Sequence, residues 1–428
     1  MIVARRALLA SLLLLGAMAP VARAQSQAQD TTRAPIVVTL ITFGIGEQVW
    51  ERFGHNALWV HDARTGSDIA YNWGLFDFEQ PGFLQRFLTG DTKYWMAGEN
   101  APAMLDAYRR IGRPITLQRL ALSDQQATQL ADFLRWNARE ENKYYRYDYF
   151  RDNCSTRLRD ALDLVLHGAI KRATSGTPLL TSYRRESVRL TEGDAPVQAG
   201  IDIALGRPAD APLSEWDTFF IPMQLRDGLR GIQVMDEQGA PRPLVADERT
   251  IAPLASAPHV VEAEVSPRLA PRYLAVGLVL ALVISVLRVM AVSRRSFAWA
   301  LALVGASWSL LCGVLGLLVL MAWLATRHVF WSWNENLLLL TPLSLVLVAL
   351  IPSAILSGRG TTAARTIAAA VVASGLFAAL LALLPGGQES RAIVALFLPV
   401  HVAVALALAL PRDAVRIAPP MPATERTV

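Results

Sequence analysis

Residues 269 to 410 hold five long apolar stretches, and no water-soluble core of ordinary size absorbs all of them. They run Leu269–Val292, Phe297–Ala325, Leu337–Leu356, Ile367–Leu384 and Ile393–Leu410. Each is near the ~20 residues that a helix needs to cross a bilayer's hydrocarbon core. Hydrophobic residues make up 53% of the 428-residue chain and charged ones 18%. The apolar excess is concentrated in this last third, which is a membrane signature. The expectation is an all-α bundle of five transmembrane helices over 269–412, then a cytoplasmic tail over 413–428.

Arginine placement gives the topology. Arg288, Arg294 and Arg295 lie between the first two stretches, Arg359 and Arg365 between the third and fourth, and Arg412, Arg416 and Arg426 after the last. The opposite loops carry Arg327 and Arg391. Arginine-rich loops stay in the cytoplasm, so the formal charge of +5 reads as a topology signal and not as a nucleic-acid surface. At the other end, Arg5 and Arg6 precede an apolar run from Ala7 to Ala19, and Ala22-Arg23-Ala24 offers a cleavage site. That is a secretory signal peptide over 1–24. An exported domain followed by an odd number of spans puts the C-terminus inside, in agreement with the arginines. The expected location is a bacterial inner membrane, multi-pass, with residues 25–240 in the periplasm. The proline- and alanine-rich run 241–268 reads as a linker.

Within the exported part, Ile36 to Phe43 is β-branched and reads as a strand. Phe53–His61 and Asp68–Phe78 flank the turn chemistry of Asp62-Ala63-Arg64-Thr65-Gly66 and predict a hairpin. If 62 pairs with 67, Asn72 is a diagonal neighbour of His55 on one face. Ser123 to Gln126 is a capping box that opens a helix. Tyr144, Tyr145, Tyr147, Tyr149 and Phe150 then crowd the approach to Cys154, and core packing is the first reading of them.

Cys154 is one of two cysteines; Cys312 lies in an apolar stretch. So different a pair makes a structural disulfide unexpected, and two cysteines supply no cysteine-based zinc site. Leu158, Ala161, Leu162 and Val165 have helical spacing, which puts Cys154 at or near the first turn of a helix. The N–H groups and dipole end there favour a thiolate. The plain alternative is a small buried hydrophobe. A nucleophilic thiol needs a base and the base needs an orienter. His55, opening a strand beside a polar Asn72, is the best base; His61 is the rival, and His167 is at the far end of the Cys154 helix. A cysteine on a helix, a histidine on a strand and a polar residue on the next strand make a papain-type set, here in permuted order. The loop Arg327 to Asn336, with His328, Asn334 and Asn336, faces the same side and reads either as an interfacial aromatic belt or as a headgroup contact. His401, inside the last stretch, is a functional suspect by position.

The blocks Phe53-Gly54-His55-Asn56-Ala57-Leu58-Trp59-Val60, Tyr71-Asn72-Trp73-Gly74-Leu75-Phe76-Asp77-Phe78 and Asp152-Asn153-Cys154-Ser155-Thr156-Arg157 resemble the Lnb family, as does Asn334-Glu335-Asn336 with the apolar run after it. A more distant likeness is to the permuted NlpC/P60 group. The resemblance implies an α+β, permuted papain-like (NlpC/P60-type) periplasmic domain, with Cys154 as nucleophile, His55 as base and Asn72 as orienter. Asn153, Arg157, His328, Asn334 and Asn336 are the substrate-contact candidates. It implies lipoprotein N-acylation: an acyl chain passes from a phospholipid to Cys154, then to the N-terminal amine of a diacylglyceryl apolipoprotein, with no cofactor and no metal. The competing readings are a cell-wall peptidase or amidase of the NlpC/P60 type, which needs no multi-span domain, and a non-catalytic envelope assembly protein.

Overall fold

The structure, a computed structural model, describes residues 35–236, 238–254, 262–357 and 359–409. The expected signal peptide and cytoplasmic tail lie outside them.

The chain begins with an antiparallel framework. Strands β1 (Ile36–Phe43), β2 (His55–Asp62) and β3 (Ser67–Leu75) lead to helix α1 (Phe83–Thr89) and strand β4 (Lys93–Asn100). Helix α2 (Ala101–Arg110), strand β5 (Ile115–Leu120), helix α3 (Asp124–Asn137) and strand β6 (Tyr144–Arg146) follow, then helix α4 (Cys154–Val165). The sheet order is β6-β4-β3-β2-β1-β5-β9, where β9 is Val245–Ile251. Asp62 pairs with Ser67 and Leu58 with Tyr71, so the hairpin has the register that its turn residues and two-residue period prescribe. Side chains alternate across it. Leu40, Leu58, Val60 and Trp73 pack under α3 and α4, while Ile41, Phe43 and Ala57 pack under α2. Burying each leucine contributes about 1.5–3 kcal/mol.

The run expected as a linker begins with strands. Val245–Ile251 extends the sheet by pairing with β5, and Pro241–Pro243 (β8) pairs with Gln233–Met235 (β7). The expected linker from 241 is therefore folded as far as 251. Its prolines sit in the two-stranded ribbon, where a missing donor is tolerated.

Short helices follow in the chain: α5 (Ala169–Thr174), α6 (Tyr183–Leu190), α7 (Ala195–Ala204), α8 (Glu215–Thr218) and α9 (Pro222–Leu229). Beyond them come α10 (Leu269–Met290), α11 (Arg295–Ala325), α12 (Ser344–Pro352), α13 (Thr361–Leu381) and α14 (Arg391–Ala409). Four of these, α10, α11, α13 and α14, are long and apolar enough to cross a membrane. The third stretch is different. Glu335–Leu338 is a 3-10 turn, and the helix from Ser344 continues in a π-helical turn to Ser357. Those 14 residues span about 21 Å at 1.5 Å per residue, short of a ~30 Å hydrocarbon core. Asn336, buried at the start of the stretch, gives its amide to the carbonyls of Asp202 and Ile203, and Pro342 removes a donor just before the helix.

The membrane domain is joined to the periplasmic one by more than the chain. Phe330 is buried among Phe150, Tyr183 and Phe220 of the periplasmic part. The Gly206 N–H donates to the Phe330 carbonyl at 2.7 Å, and a Cβ on Gly206 would overlap the Ser332 carbonyl. Gln388 donates to the Leu205 carbonyl, and Arg185 pairs with Glu389. The loops around 330 and 388 thus lie on the side of the periplasmic domain, as the arginine pattern requires.

Candidate functional site

Helix α4 is capped by Asn153. Its Oδ1 accepts from the N–H groups of Ser155 and Thr156, both at 2.9 Å, and Thr156 Oγ1 accepts from the Asn153 N–H at 2.8 Å. The Asn153 amide nitrogen donates to the Tyr149 and Phe220 carbonyls. The side chain is buried and all its polar capacity is spent on the fold, so Asn153 is a cap, worth about 1 kcal/mol, and not a substrate contact. Asn56 Nδ2 donates to Ser155 Oγ at 3.2 Å, which ties the start of α4 to the start of β2.

Cys154 is thereby held at the first position of α4, 8% exposed. The backbone N–H groups of Asn56, Ser155 and Cys154 itself point at its sulfur. They favour a thiolate, but burial outweighs them and pushes the thiol up to about 11. Removal from water thus opposes the thiolate that the helix end favours.

Asn56 is the residue after His55, so thiol and imidazole share one end of the sheet. His55 is half-buried, with Phe43 and Tyr108 rings stacked parallel to it at centroid distances of 6.1 and 6.5 Å. Burial, and then the positive charge of Arg113, lower its pKa to about 4. Asn72 Oδ1 lies 3.3 Å from His55 Nε2, and Asn72 Nδ2 donates to the Ala97 carbonyl at 3.5 Å. This amide orientation puts the imidazole proton on Nε2 and leaves a lone pair on Nδ1. Among the described residues, the hydrogen bonds of His55 run to Asn72 and not to Cys154; catalytic bonds are often long before substrate binds.

Three residues that sequence reasoning missed complete the site. Gly74 breaks the β3–β4 register at φ +89°. A Cβ there would stand 3.4 Å from Cys154 Cβ and 3.6 Å from the Tyr147 ring. Tyr108 and Arg113 were the others. Arg113 is buried, donates Nε to the Gly44 carbonyl at 2.8 Å and sits 5.0 Å over the Tyr108 ring, while its Nη2 has no hydrogen-bond partner. A glycine inside a strand pattern is a signal that could have found Gly74.

The other candidates are placed elsewhere. Arg157 forks onto Asp152 and lies 3.8 Å over the Tyr145 ring, so its charge is already paired. Asn334 and Asn336 are buried and donate to the carbonyls of Asp202, Ile203 and Ala204. They clamp α7 to the membrane domain, and the Oδ1 of Asn336 is buried without a hydrogen-bond partner among the described residues. His328 is half-buried, bonded through Nε2 to the Phe87 carbonyl and stacked on Trp331; burial lowers its pKa. His61 pairs with Asp68 at 2.9 Å, about 20 Å along β2 from His55. His167 lies beyond the far end of α4. His401 accepts from Trp308 at Nδ1 and faces the Leu339 carbonyl at Nε2, so its position in the bundle is satisfied by packing.

Comparison with known proteins gives two matches, in tandem. Residues 24–186 match the Lnb N-terminal periplasmic domain, and residues 264–411 match the Lnb transmembrane domain. No curated protein and no solved structure matches the chain.

Proposed function

The chain belongs to the Lnb family, a membrane protein of lipoprotein biogenesis, and from that premise we propose that it is a cysteine-dependent lipoprotein N-acyltransferase of the bacterial inner membrane. The observation that carries this reading is the Asn72–His55 bond at the end of the sheet where Cys154 is held, on a domain clamped to a multi-pass membrane anchor.

Nδ1 of His55 takes the Cys154 proton as sulfur attacks the ester carbonyl of a phospholipid. With the thiol up at about 11 and the imidazole down at about 4, the resting pair is neutral and proton transfer accompanies attack. The backbone N–H of Cys154 is the candidate oxyanion donor. The S–C bond forms, the ester C–O bond breaks, and His55 returns the proton to the departing alcohol. The acyl thioester then meets the α-amine of the diacylglyceryl-cysteine on an apolipoprotein. A C–N bond forms, the C–S bond breaks, and the amine proton passes through His55 to the sulfur. Asn72 holds the ring throughout.

The test is mass spectrometry of lipoprotein N-termini with and without this protein, beside intact-mass analysis of the purified chain with phospholipid alone. The expected results are loss of the N-acyl group in its absence and a hydroxylamine-labile acyl adduct on Cys154. Acceptor acylation without any adduct would mean direct transfer and a wrong nucleophile. Peptide cleavage without acyl transfer would favour the peptidase reading.

A further inference from the structure

Helix α1 is pinned to the periplasmic end of a membrane span. The Arg327 N–H, two residues past the end of α11, donates to the Thr89 carbonyl at 2.8 Å, and His328 Nε2 bonds the Phe87 carbonyl at 2.9 Å. Arg327 also pairs with Asp91 at 3.1 Å. The same level carries Trp333, 66% exposed and 5.2 Å from Trp323 on α11, the signature of a bilayer interface. At this height α1 turns Leu84 and Leu88, one helical turn apart, outward at 67% and 53% exposure. Phe78 and Trp50 extend the face at 62% and 57% and touch each other edge-on at 5.9 Å. Four large apolar side chains exposed together are unlike scattered surface residues.

The face also connects inward. Phe76 contacts Phe78 and Phe83 on one side and Tyr94 on the other, at centroid distances of 5.0 to 5.8 Å. Tyr94 stacks on Tyr147 at 4.3 Å, and Tyr147 flanks Gly74 together with Cys154. An aromatic seam therefore runs from Phe83 on α1 to Tyr147, which borders Gly74 as Cys154 does.

We propose that Leu84, Leu88, Phe78 and Trp50 sit in the periplasmic leaflet and that the seam guides a phospholipid acyl chain from that leaflet to Cys154. The occupant is lipid because α1 is fixed beside a spanning helix, at the level of an aromatic belt. The acyl-delivery half rests on the proposed function; the leaflet contact does not.

Two measurements on the full chain in lipid nanodiscs test this. An environment-sensitive fluorophore is placed at Leu84→Cys in a Cys154→Ser, Cys312→Ser background. A control goes at Arg64→Cys on the β2–β3 turn, about 25 Å along the strand from the His55 end. Nitroxide lipid should quench the label at 84 and not at 64. Equal quenching at both, or a signal at 84 that follows protein concentration instead of nitroxide lipid, overturns the leaflet contact; the second result assigns the face to another copy. In the native background, Leu84→Glu with Leu88→Glu should slow acylation of Cys154 by bilayer phospholipid about tenfold or more, since charge is expelled from an interfacial helix face. Acylation by a water-soluble butyryl thioester should be unchanged. Wild-type rates with both donors overturn the delivery route. If the native chain takes an acyl group from neither donor, the N-acyltransferase reading and the delivery route fall together, and the quenching result still decides the leaflet contact.

Discussion

Asn72 Oδ1 stands 3.3 Å from His55 Nε2 while the nitrogen of the same amide reaches the Ala97 carbonyl. The carbonyl on the neighbouring strand acts as a stop: if the amide turned over, two donors would face the ring and two acceptors would face each other. Asn72→Ala should therefore lower kcat for acyl transfer by about 10–100-fold with little change in KM, because the hold on the imidazole and not contact with lipid is lost. Asn72→Asp should restore the acceptor and raise the pKa of His55. A kcat unchanged in Asn72→Ala would remove the residue from the mechanism.

The pH profile follows from the lowered pKa of His55. Neutral imidazole is the active form, so activity should hold through pH 6 and fall as pH drops through about 4. The ordinary value is 6.5, and an acid limb there would mean that burial and Arg113 do not act on this ring. Stability changes in the same direction. The unfolded chain binds the proton first, so the contribution of His55 is present above 6.5 and is lost as pH falls toward about 4. Arg113→Gln should move the acid limb upward by removing a positive neighbour.

Cys154 should be a slow thiol at rest. With its pKa pushed up to about 11, iodoacetamide labelling should rise about tenfold per pH unit across the neutral range, as the thiolate fraction does. Rapid labelling at mildly acidic pH would contradict the neutral resting pair. His55→Ala should change this labelling little while costing roughly 10²–10⁴-fold in acyl transfer.

Gly74→Ala tests the close approach of β3 to α4. The new Cβ would meet Cys154 Cβ at 3.4 Å, ordinary contact, but at φ +89°. The backbone should cost about 1 kcal/mol or more, read as a lower unfolding midpoint.

Asn334→Ala and Asn336→Ala should act through the interface. Asn334→Ala takes the side-chain donor from the Ala204 carbonyl, at about 1–3 kcal/mol, and Asn336→Ala removes one of two donors from the Asp202 and Ile203 carbonyls, which keep Arg184 and Asn334. Hydrogen exchange at residues 202–206 should rise in both variants. Unchanged exchange with a selective loss of lipid use would restore them as headgroup contacts.

The hairpin carrying His55 and Asn72 was legible because its turn chemistry fixes where the two strands start and a period of two then fixes every face. The start of the Cys154 helix was legible for a similar local reason, the spacing of Leu158, Ala161, Leu162 and Val165, whereas its Asn153 cap was not read although Thr156 stands three residues on. What local pattern does not encode was missed. Arg113 reaches the site from the start of β5 and has no motif around it. The third apolar stretch has the composition of a span, but Asn334 and Asn336 answer to carbonyls more than 130 residues earlier. Val245–Ile251 looked like linker because an edge strand exposes most of its side chains.

Phe330 imposes an order on biosynthesis. Its ring closes a cluster with Phe150, Tyr183 and Phe220, about 180 residues after Phe150 in the chain. At about 5–20 residues per second, the exported domain waits on the order of ten seconds or more with that cluster open, until α11 has been made and the loop after it has crossed. Its maturation is thus timed by membrane insertion of the second span. A ribosome-bound chain ending at residue 320 should be cut by protease around residues 183–220, and one extended past residue 400 should resist. Equal resistance in both would show that the domain closes without the ring.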